Sequence, residues 1–450
     1  DFDGRFKITG VPAGSTLVFS YIGYETREIK YTATKLKEKI ALKEAVNEFD
    51  EVVVVGRDTQ RKVSVVGAIT NVDPAGIQAP AVSVSNMLGG RVPGIIAVTR
   101  SGEPGNNFSE FWIRGMSTFG ASSSALVLID GIEGNINDLD PADIESFSIL
   151  KDASATAVYG TRGANGVVVV TTKRGKAGKL HVNFKTNATY SYSPRMPEYA
   201  DAYQYATLAN EARSVRGDDP VYSATELELF KTGLDPDLYP NVNWRDVILK
   251  DHVINNQHHL SISGGGQSAR YYMSLGILNS EALFKQDKSA SKHDVNVNYH
   301  KYNFRTNIDA DLTKTTLLSL NLEAVIKTQN APGTGSSNKY LWESQANLPP
   351  TVVPVRYSNG QLPAYGTNLE DKSPYVRLNY MGYTTNETYS TKINVGLSQD
   401  LGIITEGLSV RGLFSFSMNG AHIVDRHMNP EQYYADPKDG RYLDGSLKTV

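Results

Sequence analysis

The 450-residue chain has no cysteine. That excludes disulfides, thiolate metal or redox sites, and a lipid anchor carried on a cysteine of this chain. No stretch approaches the roughly 18 consecutive apolar residues of a membrane-crossing helix. A transmembrane β-barrel is not excluded, because its signal is far weaker per segment. Tryptophan is scarce, at 3 against 25 tyrosines and 14 phenylalanines. An excess of one charge is lacking too: 45 basic and 48 acidic residues leave a net −3. With no basic run, nothing points to a nucleic-acid partner. Neither Gly-x-Ser-x-Gly nor His-Glu-x-x-His occurs, and the eight histidines are scattered. His258 and His259 are adjacent, so on a strand they face opposite ways and cannot share a metal. The expectation is a non-enzyme with no cofactor and no metal. The first residues, Asp1-Phe2-Asp3-Gly4, are neither a signal peptide nor a natural start, so the chain reads as cut at that end.

What is present divides into four parts. Residues 1–47 hold short alternating runs (Arg5 to Ile8, Thr16 to Tyr21, Thr26 to Tyr31) broken by Gly10-Val11-Pro12-Ala13-Gly14. They read as a small antiparallel β-domain. Residues 48–57 contain Phe49-Asp50-Glu51-Val52-Val53-Val54-Val55-Gly56, a β-branched run behind two acids. Such a segment can add itself to another protein's sheet edge, or be a core strand of a neighbouring domain. Residues 58–175 are mixed. Strands are expected at Gly94 to Thr99, Leu126 to Ile129 and Gly166 to Thr172, with short helices near Val82 to Leu88 and Ser154 to Tyr159.

Residues 176–450 are long alternation separated by polar loops. In the first run Leu180, Val182, Phe184, Ala188, Tyr190 and Tyr192 share one face, while His181, Asn183, Lys185, Asn187 and Ser191 share the other. Side chains of a strand alternate between faces, so one side is greasy and one wet. Six further runs read the same way, around Leu260, Tyr271, Tyr302, Leu318, Tyr389 and Leu408. A soluble sandwich or propeller also alternates. Two features favour a membrane sheet. Several strands run about ten residues, enough to cross a bilayer when tilted, whereas the usual strand has nearer five or six. Connections alternate as well: long after strands one, three and five, short after two, four and six. That is the outer-membrane pattern.

Other signals are thinner. Tyr199 to Val215 has helical spacing, and Ala331 to Asn338 reads as a loop tip. Trp244 and Trp342 stand in loops, where packing is the ordinary role and stacking on a ligand the other. The acids Asp130, Glu133, Asp138, Asp140 and Asp143 lack the spacing of an EF-hand loop. Tyr159 to Gly166 is glycine-rich but precedes a strand, so it reads as a turn rather than a phosphate cradle.

An ordered series of motifs resembles the SusC/RagA-type TonB-linked outer-membrane transporters. Gly4-Arg5-Phe6 and Val18-Phe19-Ser20-Tyr21-Ile22-Gly23-Tyr24-Glu25 look like that family's carboxypeptidase-regulatory-like domain. Asp50-Glu51-Val52-Val53-Val54-Val55-Gly56 looks like its TonB box, although Arg57-Asp58 replaces the usual Tyr-Gly. Leu88-Gly89-Gly90-Arg91-Val92-Pro93-Gly94, Ile113-Arg114-Gly115, Leu128-Ile129-Asp130-Gly131, Leu150 to Gly160 and Arg162-Gly163-Ala164-Asn165-Gly166 match its plug. The resemblance implies a mainly β fold. Residues 1–47 would be the end of the small β-sandwich, 48–57 the TonB box, 58–175 an α+β plug, and 176–450 part of a 22-stranded antiparallel barrel. About seven strands are counted, so the chain is expected to lack both ends of a longer protein. The implied function is TonB-dependent import of an oligosaccharide or peptide across the bacterial outer membrane, the plug facing the periplasm. The implied partners are TonB, a SusD-like surface lipoprotein and outer-membrane lipid. A ligand-sensing transducer and a secreted β-rich adhesin are the alternatives. Gly115, Gly131, Gly163 and Gly166 are expected at tight turns, and Arg114, Asp130 and Arg162 as internal ion-pair partners.

Overall fold

A computed structural model describes residues 11–12, 14–19, 27–30, 52–55, 58–61, 69–72, 83–115, 124–333 and 339–450. Asp50, Glu51 and Gly56 of the expected TonB box lie outside the described residues, as do Gly4 to Phe6, Tyr21 to Glu25 and most of the loop tip after Gly333. Near the start, β1 (Thr16–Phe19) pairs antiparallel with β2 (Arg27–Lys30). Likewise β3 (Val52–Val55) pairs antiparallel with β4 (Asp58–Arg61).

The plug is built on a five-stranded sheet of β5 (Ile69–Val72), β8 (Leu126–Ile129), β9 (Ile132–Glu133), β10 (Ile144–Leu150) and β11 (Val167–Thr172), in the order β5-β10-β11-β8-β9. A separate hairpin joins β6 (Ile95–Thr99) to β7 (Ser109–Ile113). Strand β11 lies between β10 and the parallel β8 and is covered on both faces, which explains four consecutive valines in place of alternation. Val168 and Val170 pack with Val84, Leu88, Phe147 and Ile149 on one side. Val167 and Val169 pack with Leu126, Leu128 and Leu150 on the other. The helix expected near Val82 is Val84–Leu88; the one near Ser154 is a single turn, Ala153–Thr156, continued by 3-10 turns to Gly163.

The remaining chain forms one antiparallel sheet whose spatial order follows chain order. Its strands are β12 (Gly178–Tyr192), β13 (His252–Gly265), β14 (Ala269–Glu281), β15 (Asn298–Asp311), β16 (Thr316–Pro332), β17 (Gly382–Asp400) and β18 (Ser409–His427). Residues 266–268, 312–315 and 401–408 make the short turns at one end. Residues 193–251, 282–297, 339–381 and 428–450 gather at the other.

The exposure of this sheet is inverted relative to a soluble one. Phe414 is 65% exposed and Phe416 53%, with Val182, Phe184, Leu275, Phe304 and Leu397 exposed on the same side. On the opposite face Lys301, Arg305, Asn307 and Glu323 are buried. A polar row closes the apolar face toward the long-loop end: Asn256, Asn279, His300, Thr328, Glu387 and His422 are register partners across six strands. One step inside it, Tyr302, Ile326 and Tyr389 form the next row. From Leu318 to Ile326 the apolar positions of β16 span about 27 Å along the strand. At the tilt usual for membrane strands that is a band roughly 20 Å tall, close to the height such barrels present to lipid.

The long loops are not loose. Trp244, Ile248, Phe284, Leu341, Val376 and Leu378 form their own core. The helix expected in Tyr199 to Val215 is Ala202–Ser214, begun by a reciprocal cap between Asp201 and Gln204.

Candidate functional site

The plug meets the sheet along a buried polar seam. Asp130 and Gly131 form a two-residue turn between β8 and β9, with φ of +50° and +86°. Both central residues at positive φ make the hairpin turn for which Asp-Gly is the favoured pair. The turn aims the Asp130 carboxylate back at β11, where Oδ1 accepts from the Thr172 N–H at 2.9 Å and Oδ2 from the Thr172 hydroxyl at 2.7 Å. Asn307 of β15 donates to that hydroxyl at 2.8 Å and to the Lys173 carbonyl at 2.7 Å.

Beside it lies Arg305, 4% exposed. Its guanidinium pairs with Glu323 on β16 and stands 3.9 Å from Asp130 and 3.8 Å from Asp143. Asp143 also accepts from the Tyr272 hydroxyl and meets His259 Nε2, both at 2.8 Å. Lys327 contacts Asp138 at 2.5 Å, and Lys301 donates to the Asn137 carbonyl at 2.9 Å. Asp140 fits because the facing position is Gly276: a Cβ there would lie 2.8 Å from its carboxylate. At the short-turn end Arg174 reaches Asp309 at 2.6 Å. Asp130, Asp138 and Asp143 therefore serve the wall's cations, and among the described residues no acid and histidine cluster has metal-binding geometry.

Two neighbouring carboxyls in this seam are pushed in opposite directions. Burial raises the Asp140 pKa above its ordinary value, and the charge of Asp143 adds to it. Burial also acts to raise Asp143, but the hydrogen bond and charge of His259 and the charge of Arg305 outweigh it and hold that carboxyl below its usual range.

The other singled-out plug residues pair or pack within the plug itself. Arg114, at φ +59°, pairs with Asp152 at 2.5 Å, and Arg162 pairs with Glu133. Gly115 also has positive φ, and Gly163 packs against the Thr156 carbonyl. Gly166 has φ +87° and lies against Ile113, where a Cβ would come within 2.7 Å of the side chain. The wall's members of the seam, Arg305, Glu323 and Lys327, were not singled out from sequence. Their signal was present: cations at the inward parity positions of long strands, where an ionisable group inside a membrane sheet calls for a partner.

Above the plug lies a cavity of about 950 Å³. The plug loop Ser101 to Pro104 forms its floor. Asn255 and Gln257 of β13 and Ser280 of β14 form its side, and Trp342 and Asn347 of the loop helix Lys339–Asn347 form its roof. The two loop tryptophans divide here. Trp244 is 2% exposed, in the loop core, whereas Trp342 is 37% exposed at the cavity and rests on Phe284 at 5.4 Å between centroids.

Comparison with known proteins gives the following. Residues 61–167 match the TonB-dependent Receptor Plug Domain profile, and residues 1–54 the CarboxypepD_reg-like domain. TonB-dependent receptor P39 of Formosa agariphila is 34% identical over 351 residues, covering 77% of this chain and 32% of that protein. TonB-dependent receptor SusC of Bacteroides thetaiotaomicron is 32% identical over 298 residues, covering 63% of this chain and 27% of that one. The chain thus spans about a third of the length of the curated relatives it matches. Among solved structures, the RagAB peptide importer in its open-open state superposes with a TM-score of 0.67 at 21% identity, over 86% of this chain and 44% of that one.

Proposed function

From a chain that belongs to the SusC-like TonB-dependent receptors, outer-membrane β-barrels whose plug faces the periplasm, we propose that this protein imports a large nutrient, an oligosaccharide or a peptide. The observation that carries this is the inverted sheet: an apolar face turned outward, and a polar face filled by a separately folded plug. A barrel plugged in this way is closed at rest, so passage requires the plug to rearrange.

The residues from Asp50 to Gly56 are the proposed handle. Among the described residues, strand β3 pairs with β4 alone, in a ribbon of two four-residue strands. Such a ribbon is marginal by itself, and its second edge offers backbone donors and acceptors to a sheet of TonB. Pulling there loads the plug, and the polar seam determines which part yields. Arg114, Asp130 and Arg162 keep the plug's own turns together during that step. A SusD-like lipoprotein is the proposed partner at the long-loop side. Nothing in this sequence of events needs covalent chemistry, so no residue is assigned a catalytic role.

Replacing Val53 with Pro tests the handle, since proline removes a backbone donor. The expected outcome is loss of nutrient uptake with normal amounts of receptor in the outer membrane. Unchanged uptake would sink the assignment.

A further inference from the structure

The outward face of the seven-stranded sheet is charged at one end only. At the short-turn end its last rows, Ala269–Ala310–Leu318–Leu397 and Thr316–Gln399–Val410, hold no charged side chain. At the long-loop end the outward positions continue beyond the polar row through Thr385 and Val424 to Tyr383 and Arg426. The last two face each other across β17 and β18 and keep the parity of Val395 and Phe414. Below them Glu387 faces His422 at 3.8 Å.

The Arg426 guanidinium carbon stands 6.0 Å over the Tyr383 ring, and the His293 ring meets the same tyrosine at 4.9 Å between centroids. Stacking holds a guanidinium by its face and leaves its N–H edge available. No acid pairs with Arg426 among the described residues; its neighbour Asp425 bonds His427 and Thr384 instead. His293 belongs to the connection between β14 and β15, where Lys285, Lys288 and Lys292 are exposed and likewise have no ion pair among the described residues. The two acids of this connection are engaged locally. Asp287 accepts from the Tyr375 hydroxyl at 2.5 Å and from Ser289, and Asp294 from the Asn296 N–H and the Asn298 amide. The segment is also anchored: the Asp287 N–H donates to Asn379, and Gln286 to the His293 carbonyl, both at 2.8 Å.

In a chain of net charge −3, such a cationic corner is not a by-product of general basicity. It lies outside the barrel wall and continues from the apolar face, whereas a solute would pass on the inward side. Long loops in such barrels face the cell exterior, so the corner stands at the headgroup layer of the outer leaflet, a level where tyrosine is common. An arginine fork fits a phosphate with two hydrogen bonds, and nearby lysines add attraction for an anionic headgroup.

We propose that Arg426, stacked on Tyr383, together with His293 and Lys292, forms a binding site for a phosphorylated lipid headgroup of the outer leaflet. This rests on the membrane location of the barrel and is independent of what it imports.

The test uses the purified receptor in its natural full-length form, delipidated in non-ionic detergent. It is titrated with bisphosphorylated lipid A, with the same lipid stripped of its phosphates, with phosphatidylethanolamine and with inorganic phosphate. Lipid A should bind at least about tenfold more tightly than the stripped lipid or phosphatidylethanolamine. Arg426→Gln with Lys292→Gln should weaken lipid A by about tenfold, and salt at about 0.5 M should weaken it in the wild type. Lys314→Gln, an exposed cation in a short turn, should leave binding within about twofold. Equal binding of the stripped lipid, indifference to the paired substitution, or an equal loss on Lys314→Gln would each overturn the proposal. Inorganic phosphate bound as tightly as lipid A, with the same dependence on Arg426, would overturn it too, by reducing the site to one for any phosphate.

Discussion

The two faces of the seven-stranded sheet come from the same backbone and the same residues in alternation, yet they follow opposite rules. Outward, Leu322, Ile393, Val395, Phe414 and Phe416 form a continuous apolar surface crossed by no ion pair among the described residues. Inward, one step along each strand, Arg305 pairs with Glu323 and stands beside the plug carboxylates Asp130 and Asp143, and Lys327 meets the plug's Asp138. The outward face is satisfied by its surroundings and tolerates any apolar residue of suitable size. The inward face is satisfied by named partners, so a single change there leaves a charge without its counterion. Its specificity lies in the pairing, and so does its capacity to be undone by force.

The comparison can be broken most strongly at Arg305. Arg305→Met leaves Glu323, Asp130 and Asp143 facing one another in a buried site. The expected loss is about 3–5 kcal/mol, read from thermal unfolding in detergent. An unaltered melting temperature would show that the seam carries no stability.

On the opposite face, Val395→Arg places a cation near the middle of the apolar band and should cost about 2–4 kcal/mol. Asn394, its inward neighbour, is nearly buried beside the plug and accepts from Ser415, so it makes a poor control. Asn419→Arg, on the inward face of β18 where side chains remain exposed, should be close to neutral. Equal effects at Val395 and Asn419 would erase the distinction between the faces.

The third test sharpens the seam by pH. The Asp143 carboxyl is held low, so it stabilises the fold at pH values above the unfolded-state pKa near 4, and that contribution fades as pH falls through its lower folded value. Asp140 is raised and behaves in the opposite sense: its ionisation imposes a cost that appears as pH rises from about 4 through its folded value. At pH 7, Asp143→Asn should lose about 1–3 kcal/mol, while Asp140→Asn should be neutral or stabilising. From pH 7 down to pH 4 the melting curve of Asp140→Asn should converge on wild type, whereas the deficit of Asp143→Asn should persist to pH 4 and narrow only below it. Matching behaviour at pH 7 would refute the split.

The smallest effect belongs to the boundary of the apolar face. Thr328→Lys, in the polar row between His300 and Glu387, should cost no more than about 1 kcal/mol. A penalty as large as that of Val395→Arg would move the membrane boundary outward.

Much of this architecture could be read from order alone. Seven alternating runs became seven strands, and the parity of each run correctly separated Phe304 from Arg305 and Val395 from Asn394. The Asp130-Gly131 turn was legible because only a few residue pairs accept two positive φ angles. His258 and His259 do face opposite ways: the first bonds Thr186 on the outer face, the second Asp143 on the inner.

What escaped were elements without a local signature. Ser109–Ile113 and Ile144–Leu150 are strands chiefly because β6 and β11 pair with them. The loop core around Trp244 joins segments far apart in sequence, and no short window shows that Phe284 and Val376 will meet it.

By itself the sequence determined the period, face and sidedness of each strand, since these depend on neighbours two residues away and on the lengths of the connections. Only the tertiary structure decided which charge neutralises which. Asp143 with His259, and Asp138 with Lys327, are contacts between residues 116 and 189 positions apart. Their energies exist only once the plug occupies the concave face of the sheet. Alternation is written locally and survives in any register that keeps parity, whereas a buried ion pair requires two distant chain segments to arrive at hydrogen-bond distance together.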